Sequence, residues 1–415
     1  MSAVRNYAIV TVAYWGVTLT DGALRMLVLL HFFRLGYTPF TLAFLFLLYE
    51  AAGIAANLFG GWLATRFGIP RMLSVGLALQ IGGLLMLSAL DPDWTAAASV
   101  AWVVVAQGVS GIAKDVTKTA SKSAIKATAA EGAGQLFRWV AWFTGSKNAV
   151  KGLGFFAGGL LLDTAGFQGA LWAMAAMLGV ILIAVGVSLP ARLGAAKASK
   201  SLGELFSKSA GVNLLAAARV FLFGARDVWF VVGLPVFLYA QGWRFYEVGG
   251  FIAAWTIAYG AIQALAPALV TRSADGLSRE VPAARLWGAV LAAIPAVLAV
   301  VIAQPGDLPG DLPGDLPVDW LAVGGLALFG LPFAINSSLH SYLILAYAGS
   351  RKAAEDVGFY YAANAAGRLM GILLSGALYQ AGGLIACLLG SALMLALCCA
   401  ITWFLPIRAA QPRAA

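Results

Sequence analysis

The sequence predicts an all-α membrane protein of twelve transmembrane helices, arranged as two pseudo-symmetric halves of six helices each. Three observations support this fold class: the apolar composition, a repeat between the halves, and the uneven distribution of Lys and Arg. Of the 415 residues, 61% are hydrophobic and 11% are charged, and the mean hydropathy is +0.87. Water-soluble domains carry about 25% charged residues, so this chain lacks the polar surface that water requires.

The apolar residues form runs of about 20, which is long enough to cross a hydrocarbon core of about 30 Å as helix. The first run has no small-residue cleavage site after it, so we interpret it as a retained helix rather than a signal peptide. The twelve predicted segments are 7–30, 40–63, 71–90, 95–114, 136–161, 167–189, 214–240, 246–270, 286–303, 320–348, 358–379 and 383–405.

The distribution of positive charge predicts the orientation. With the N-terminus inside, 18 of the 27 Lys and Arg lie in inner segments, and two, Arg34 and Arg244, lie in outer ones. By the positive-inside rule both termini are then cytoplasmic, in the cell (inner) membrane. The net charge of +9 is therefore a topology signal, and it does not indicate a nucleic-acid partner.

The two halves of the chain match at a fixed offset. At an offset of 206 the matched pairs are Asp21 with Asp227, Gly36 with Gly242, Tyr37 with Trp243, and Arg66 with Arg272. After three PGDL copies in an outer loop, the offset is 217, and the pairs are Lys151 with Arg368, Gly154 with Gly371, Gly159 with Gly376, and Gly166 with Gly383. We predict halves at 1–189 and 214–415, joined by a basic cytoplasmic linker at 190–213. Two parallel repeats of this kind are typical of a transporter whose site lies between the halves.

Ionisable residues within the predicted spans are the candidate site. Each costs at least about 2.5–3.5 kcal/mol at mid-membrane, so it should face a cavity or a partner. The cations are Arg25, Arg138, Lys147, Lys151, Arg219, Arg226 and Arg368, and the acids are Asp21, Glu50 and Asp227. Because the cations outnumber the acids, we predict a cavity for an anion. The predicted substrate-binding residues are Arg226, Lys147, Lys151, Arg368, Arg25, Arg219, His340 and Asn336, and the predicted proton-coupling residues are Asp21, Asp227 and Glu50.

Helical spacing leaves alternatives open for several of these side chains. Asp21 and Arg25 are four residues apart, so they either face the cavity or form an intrahelical ion pair. Arg226 and Asp227 are about 100° apart, so we expect Arg226 to face the cavity and Asp227 a neighbouring helix. Arg138 and Arg219 either bind substrate or extend to the inner membrane surface. Glu50 either packs with Asn57 or carries a proton.

Further patterns concern packing and the inner surface. The lysines at 114, 118, 122 and 126 form a stripe that meets lipid headgroups or attracts an anionic solute. Gly154, Gly158 and Gly159 indicate close helix packing. The three cysteines, which fall in the last span, show no disulfide or metal spacing, and we expect them to lie far from the cavity.

Several segments resemble known transporters. The inner loop "GGWLATRFGIPR" resembles the loop between helices 2 and 3 of the major facilitator superfamily, with Gly61, Arg66 and Gly68 matching and Thr65 in place of the family's Asp. The segments "LTDGALRMLVLLHF", "SGIAKD", "TGSKNAVKGLGFF" and "FLFGARDVWFVVGLP" resemble the ArsJ-type organoarsenical efflux permeases of that superfamily. This resemblance implies the superfamily fold, gating by the loop, and export of 1-arseno-3-phosphoglycerate supplied by glyceraldehyde-3-phosphate dehydrogenase.

We therefore expect a transporter that exports this anion by alternating access, in proton antiport, and confers arsenate resistance. Arg forks and Lys charges suit phosphate and arsenate groups. The alternatives are an exporter of phosphorylated metabolites or drugs on the same fold, and a membrane sensor without flux. An enzyme is not expected, because the sequence has no nucleophile–base pair and no metal cluster. We expect a monomer in the lipid bilayer, without a cofactor.

Overall fold

The structure, a computed structural model, describes residues 2–56, 69–128, 133–190, 209–269, 273, 276–304, 317–347 and 353–407. In this part of the chain the secondary structure is helical, with no strand. The helices are α1 (Ser2–Arg34), α2 (Pro39–Phe44), α3 (47–56), α4 (Ile69–Ser88), α5 (Ala96–Thr128), α6 (Ala133–Ser188), α7 (Ala210–Phe230), α8 (Gly233–Ala240), α9 (Phe245–Leu269), α10 (Glu280–Ala303), α11 (Val318–Tyr347) and α12 (Ala353–Trp403).

The described residues contain ten helical stretches that are long and apolar enough to cross a membrane. Helices predominate because a membrane interior offers no water, so the backbone must satisfy its own hydrogen bonds. Two of the stretches, in α6 and α12, each hold two predicted spans. Non-helical backbone separates the two spans, at Gly166 in α6 and at Gly382 and Gly383 in α12. Each of the twelve predicted segments therefore overlaps a helix of the structure.

The chain forms two compact units. Unit 1 comprises Met1–Tyr37, Phe44–Ser201 and Trp243–Ile257, and unit 2 comprises Thr38–Ala43, Leu202–Gly242 and Ala258–Ala415. Within unit 1, α1 packs on α6, α4 on α5, and α4 on α6. Within unit 2, the same scheme recurs as α7 on α12, α10 on α11, and α10 on α12.

The backbone repeats as well as the packing. Gly36 and Gly242, which the repeat pairs, have φ of 86° and 92°, and Gly166 and Gly383 have φ of 70° and 63°. Such positive φ angles are readily adopted only by glycine. Both pairs therefore mark equivalent turns in the two halves of the chain.

Helices α1 and α7 are the most enclosed of the spans. In the most apolar window of each, 83% of the residues are buried, compared with 33–50% in the other spans. Helix α7 begins at its N-cap Ser209, whose Oγ accepts a hydrogen bond from the amide of Val212. An ionisable side chain on either helix lies away from lipid, which makes these two helices the natural carriers of a site.

Candidate functional site

The first charged cluster surrounds Asp21 in unit 1. Lys151 Nζ on α6 lies 3.3 Å from Asp21 Oδ2, and the hydroxyl of Tyr49 on α3 donates to Asp21 Oδ1. Asp21 itself is 4% exposed. Glycines allow this pairing, since a Cβ at Gly22 would lie 2.6 Å from the carbonyl oxygen of Lys151 and 3.2 Å from the Cα of Gly154. The close approach of α1 and α6 brings the lysine to the aspartate.

The second cluster surrounds Asp227 in unit 2. Arg368 Nε on α12 lies 3.4 Å from Asp227 Oδ2, and Arg226 Nη2 lies 2.5 Å from Asp227 Oδ1. Asp227 is fully buried, and a Cβ at Gly371 would lie 2.9 Å from its Cβ. Two guanidinium groups therefore share one carboxylate, which leaves the cluster with an excess of positive charge.

The two clusters are built from repeat-related residues. Asp21 and Asp227 form one matched pair of the sequence repeat, and Lys151 and Arg368 form another. In each unit the aspartate lies on the enclosed helix and its cation on the helix that packs against it. The same ion pair thus occurs once in each unit.

The expected orientation of Arg226 is wrong. Instead of facing away from Asp227, the guanidinium folds back, and Nε donates to Asp227 Oδ1 at 2.6 Å. The long side chain spans the 100° between neighbouring positions, because an unpaired charge would cost more than the bend. The rings of Phe223, Phe230 and Phe333 surround the guanidinium at 5.0–5.6 Å.

Arg25 also takes a partner that the helical spacing did not indicate. Its Nη2 lies 2.6 Å from Glu50 Oε1, with both side chains almost fully buried. The intrahelical pair of Asp21 with Arg25 is not formed, because α3 presents Glu50 to one residue and α6 presents Lys151 to the other. Glu50 is therefore part of an ion pair between helices.

Sequence reasoning missed Asp115. Helix α5 extends beyond the predicted span, and Asp115 on it is 2% exposed. Lys118 Nζ lies 2.9 Å and Lys114 Nζ 3.6 Å from its carboxylate oxygens. The first two lysines of the predicted lipid-facing stripe thus turn inward. The spacing K-D-x-x-K, with cations one residue before and three after the acid, is the signal that identifies this cluster.

Arg219 lies deeper than its predicted place at the inner boundary. It is nine residues into α7, about 14 Å along the helix, and 4% exposed. Its Nε donates to Asn364 Oδ1 at 2.9 Å, and its Nη1 donates to the carbonyl and hydroxyl oxygens of Ser337 at 3.1 and 3.3 Å. The guanidinium also stacks over Phe223 at 4.0 Å and Tyr360 at 4.9 Å.

His340 and Asn336 lie on α11 on either side of Ser337 in sequence. His340 is fully buried with neither ring nitrogen hydrogen-bonded, and Asn336 is 1% exposed with Oδ1 unpartnered. The expectation that the cysteines lie far from these residues is wrong for Cys399. A Cβ at Gly288 would lie 3.1 Å from Cys399 Sγ and 3.4 Å from Asn336 Nδ2, so both side chains border the same gap.

Other predicted residues remain without a structural assignment. Lys147 is half-buried on α6, one turn before Lys151. The gating-loop residues Gly61, Arg66 and Gly68, as well as Asn57, lie outside the described residues. So do the PGDL loop and most of the linker, together with the side chains of Arg138, Lys122 and Lys126.

The chemistry of these clusters is ionic. Among the described residues, no group of three His, Cys, Asp or Glu side chains is placed to hold a metal ion. Buried guanidinium and ammonium groups offer charge-assisted hydrogen bonds to oxyanions. Carboxylates that hold those cations can exchange them for a substrate anion.

Long apolar helices, two units with one packing scheme, and a repeated ion pair on the enclosed helices define a multi-pass membrane transporter rather than an enzyme. The chain belongs to the major facilitator superfamily, since the profile described as "Major Facilitator Superfamily" matches residues 8–312. A solved structure titled "Structural insights into substrate recognition in proton dependent oligopeptide transporters" is similar, with a TM-score of 0.66 and 13% identity over 97% of this chain and 98% of that chain. At that identity the likeness concerns the fold alone. A comparison with curated proteins gives no match.

Proposed function

We propose that this transporter exports an anionic organoarsenical, 1-arseno-3-phosphoglycerate, from the cytoplasm and so confers arsenate resistance. The observation that carries the proposal is the cluster in which Arg226 and Arg368 share the single carboxylate of Asp227. Two cations on one acid keep a net positive charge inside the protein. Because such a charge is costly to bury, a substrate oxyanion that joins the cluster is stabilised.

The cargo follows from the sequence resemblance and from the chemistry of the side chains. A phosphate and an arsenate ester present many acceptor oxygens, which suit guanidinium forks and lysine point charges. Pentavalent arsenic needs no thiol. The ion-pair partners of the clusters around Asp21 and Asp227 are amines, guanidinium groups and carboxylates. Glyceraldehyde-3-phosphate dehydrogenase would supply the substrate, and the protein would act in the inner membrane with both termini in the cytoplasm.

The coupling step that we propose is proton antiport through Asp21, Asp227 or Glu50. Each of these carboxylates is held by a cation: Asp21 by Lys151, Asp227 by two arginines, and Glu50 by Arg25. Antiport requires that one of these pairs opens and that the acid takes up a proton in the anion-free carrier. In the reverse order, the anion displaces a carboxylate and a proton moves with it, so the response to a pH gradient has the opposite sign.

Everted membrane vesicles test the cargo. They would receive arsenate, glyceraldehyde 3-phosphate, NAD and the dehydrogenase, and arsenic in the lumen would be measured. We expect accumulation that requires both the dehydrogenase and this protein, and that is lost in Arg368→Ala. The matched control is Arg285→Ala, whose arginine donates to backbone carbonyls of Trp403 and Leu405. Uptake of arsenate without the dehydrogenase would contradict the cargo.

One observation favours an exporter of phosphorylated metabolites as the second candidate. The cations of both clusters recognise phosphate and arsenate oxygens alike, and nothing in their chemistry selects arsenic. Radiolabelled 3-phosphoglycerate in the same vesicles separates the two proposals. Accumulation of 3-phosphoglycerate as fast as that of the arseno ester would favour the metabolite exporter.

A further inference from the structure

Arg219 is a buried cation without an acidic partner. It is 4% exposed, and no carboxylate among the side chains that the structure describes lies within 4.0 Å of its guanidinium. This sets it apart from Arg25, Arg226 and Arg368, each of which is paired with an acid. A buried ion that lacks its counter-ion costs several kcal/mol. The structure therefore contains a place where a counter-ion would be stabilised.

The neutral contacts of Arg219 hold the guanidinium in a fixed orientation. Nε and Nη1 donate to Asn364 and Ser337, and the plane lies over the rings of Phe223 and Tyr360. Within the described part of the chain, Nη2 has no acceptor. A pre-oriented fork with an unused N–H end is the arrangement that binds an oxyanion with little loss of side-chain entropy.

A second observation points to a ligand at the same place. Ser337, which accepts from Arg219, lies one helical turn before His340 on α11, and Arg219 acts electrostatically on His340. His340 is fully buried, and neither of its ring nitrogens has a hydrogen-bond partner. Buried polar groups in folded proteins almost always have a partner. An imidazole without one, beside an arginine without a counter-ion, indicates a common missing partner.

We infer that Arg219 is the principal oxyanion-binding residue of unit 2 and that His340 donates a second hydrogen bond to the same oxyanion. This inference rests on the proposed function and identifies which buried cation takes an anionic group of the substrate. Arg226 and Arg368 are held by Asp227, so an anion must displace a carboxylate to reach them. At Arg219 it has nothing to displace.

Thermal unfolding of the full-length protein in lipid nanodiscs provides the first test, with 3-phosphoglycerate and inorganic phosphate as probes. We expect 3-phosphoglycerate to raise the apparent Tm of the wild type. Arg219→Gln should weaken its binding by about 10- to 100-fold, the range expected for a lost charge-assisted hydrogen bond. Arg219→Lys should fall between, because it keeps the charge and loses the fork. His340→Leu should weaken binding by about 2- to 10-fold.

Arg285→Gln is the matched control, since Arg285 also lacks an acidic partner in the described structure but is only half-buried, at the end of α12. Its binding should equal that of the wild type. A merely structural role for Arg219 would lower the ligand-free Tm of Arg219→Gln. A binding role predicts that this Tm is unchanged or raised, because the variant removes an uncompensated charge and its amide can still donate to Asn364.

The outcomes separate this inference from the proposed function. If 3-phosphoglycerate stabilises the wild type and Arg219→Gln equally, the Arg219 site is refuted while anion transport stands. If Arg219→Gln does not fold, wild-type affinity in Arg219→Lys refutes the site, and weakened affinity supports it. If the probe does not stabilise the wild type although its vesicles accumulate arsenic, accumulation by the Arg219→Lys variant decides in the same way. If the wild type does neither, the proposed function fails and this inference fails with it.

Discussion

Replacing Asp227 with Asn tests whether one buried carboxylate holds two arginines. The variant keeps the shape of the side chain but removes its charge. In the wild type, Arg226 Nη2 lies 2.5 Å from Oδ1 and Arg368 Nε 3.4 Å from Oδ2, and Asp227 has no exposed surface. Removing one partner of a buried ion pair costs about 3–5 kcal/mol, because the remaining charge is left uncompensated. We therefore expect Asp227→Asn to lose about that much free energy of unfolding.

The single arginine variants should cost less. In Arg226→Gln or Arg368→Gln the other arginine still neutralises Asp227, so no unpaired acid remains. These variants lose one charge-assisted hydrogen bond, about 1.5–3 kcal/mol, and they also relieve the excess positive charge. The expected order of stability is therefore the wild type, then either arginine variant, then Asp227→Asn. The exposed Asp93→Asn, in the turn between α4 and α5, is the control and should change the stability by less than about 0.5 kcal/mol.

Thermal unfolding in nanodiscs, followed by circular dichroism, measures this order, and an added oxyanion extends the test. A phosphate ester can replace the missing carboxylate between the two arginines, so 3-phosphoglycerate should raise the apparent Tm of Asp227→Asn by more than that of the wild type. The reasoning is refuted if Asp227→Asn is as stable as the wild type, or if Arg368→Gln is the less stable of the two.

Three further predictions follow from the packing and the charges. Gly371→Leu should abolish a folded, monodisperse protein, because its side chain would collide with Gly224 and Asp227, whereas Gly82→Ala, with open space around it, should leave size-exclusion profiles unchanged. Asp115→Asn should lower the apparent Tm, since it leaves Lys114 and Lys118 unpaired, and salt should restore little because the site is buried. Dissipating an acid-inside pH gradient with nigericin should reduce arsenic accumulation in everted vesicles under antiport; an increase would mean that the proton travels with the anion.

The sequence was sufficient to predict what depends on single helices and on the repeat. The apolar runs predicted the spans, and the offsets predicted that Gly166 and Gly383 occupy equivalent positions, which their φ angles of 70° and 63° confirm. Choice of partner was not predictable, because helical spacing gives the direction of a side chain and not the helix that it meets. Arg25 pairs with Glu50, whereas spacing alone offered Asp21. Asp115 was missed because the span was ended one residue before it.

The differences between the repeats are as informative as the shared ion pair. At the offset of 206, the positions of Arg219 and Arg226 in unit 2 correspond to Ala13 and Thr20 in unit 1. Conversely, Arg25 and Glu50, which neutralise each other in unit 1, correspond to Val231 and Thr256. The additions to unit 1 are therefore neutral as a pair, whereas the additions to unit 2 bring two positive charges with no acid of their own.

Duplication alone would give both halves the same charge around the shared aspartate. The aspartate of unit 1 instead receives one cation and the hydroxyl of Tyr49, while that of unit 2 receives two arginines. Since a substrate anion is drawn to the half with uncompensated charge, the ionic attraction that we propose belongs mainly to unit 2. The Lys151–Asp21 pair then has a different task, for which an acid balanced by a single cation and a tyrosine is suited: opening and closing as the protonation of Asp21 changes.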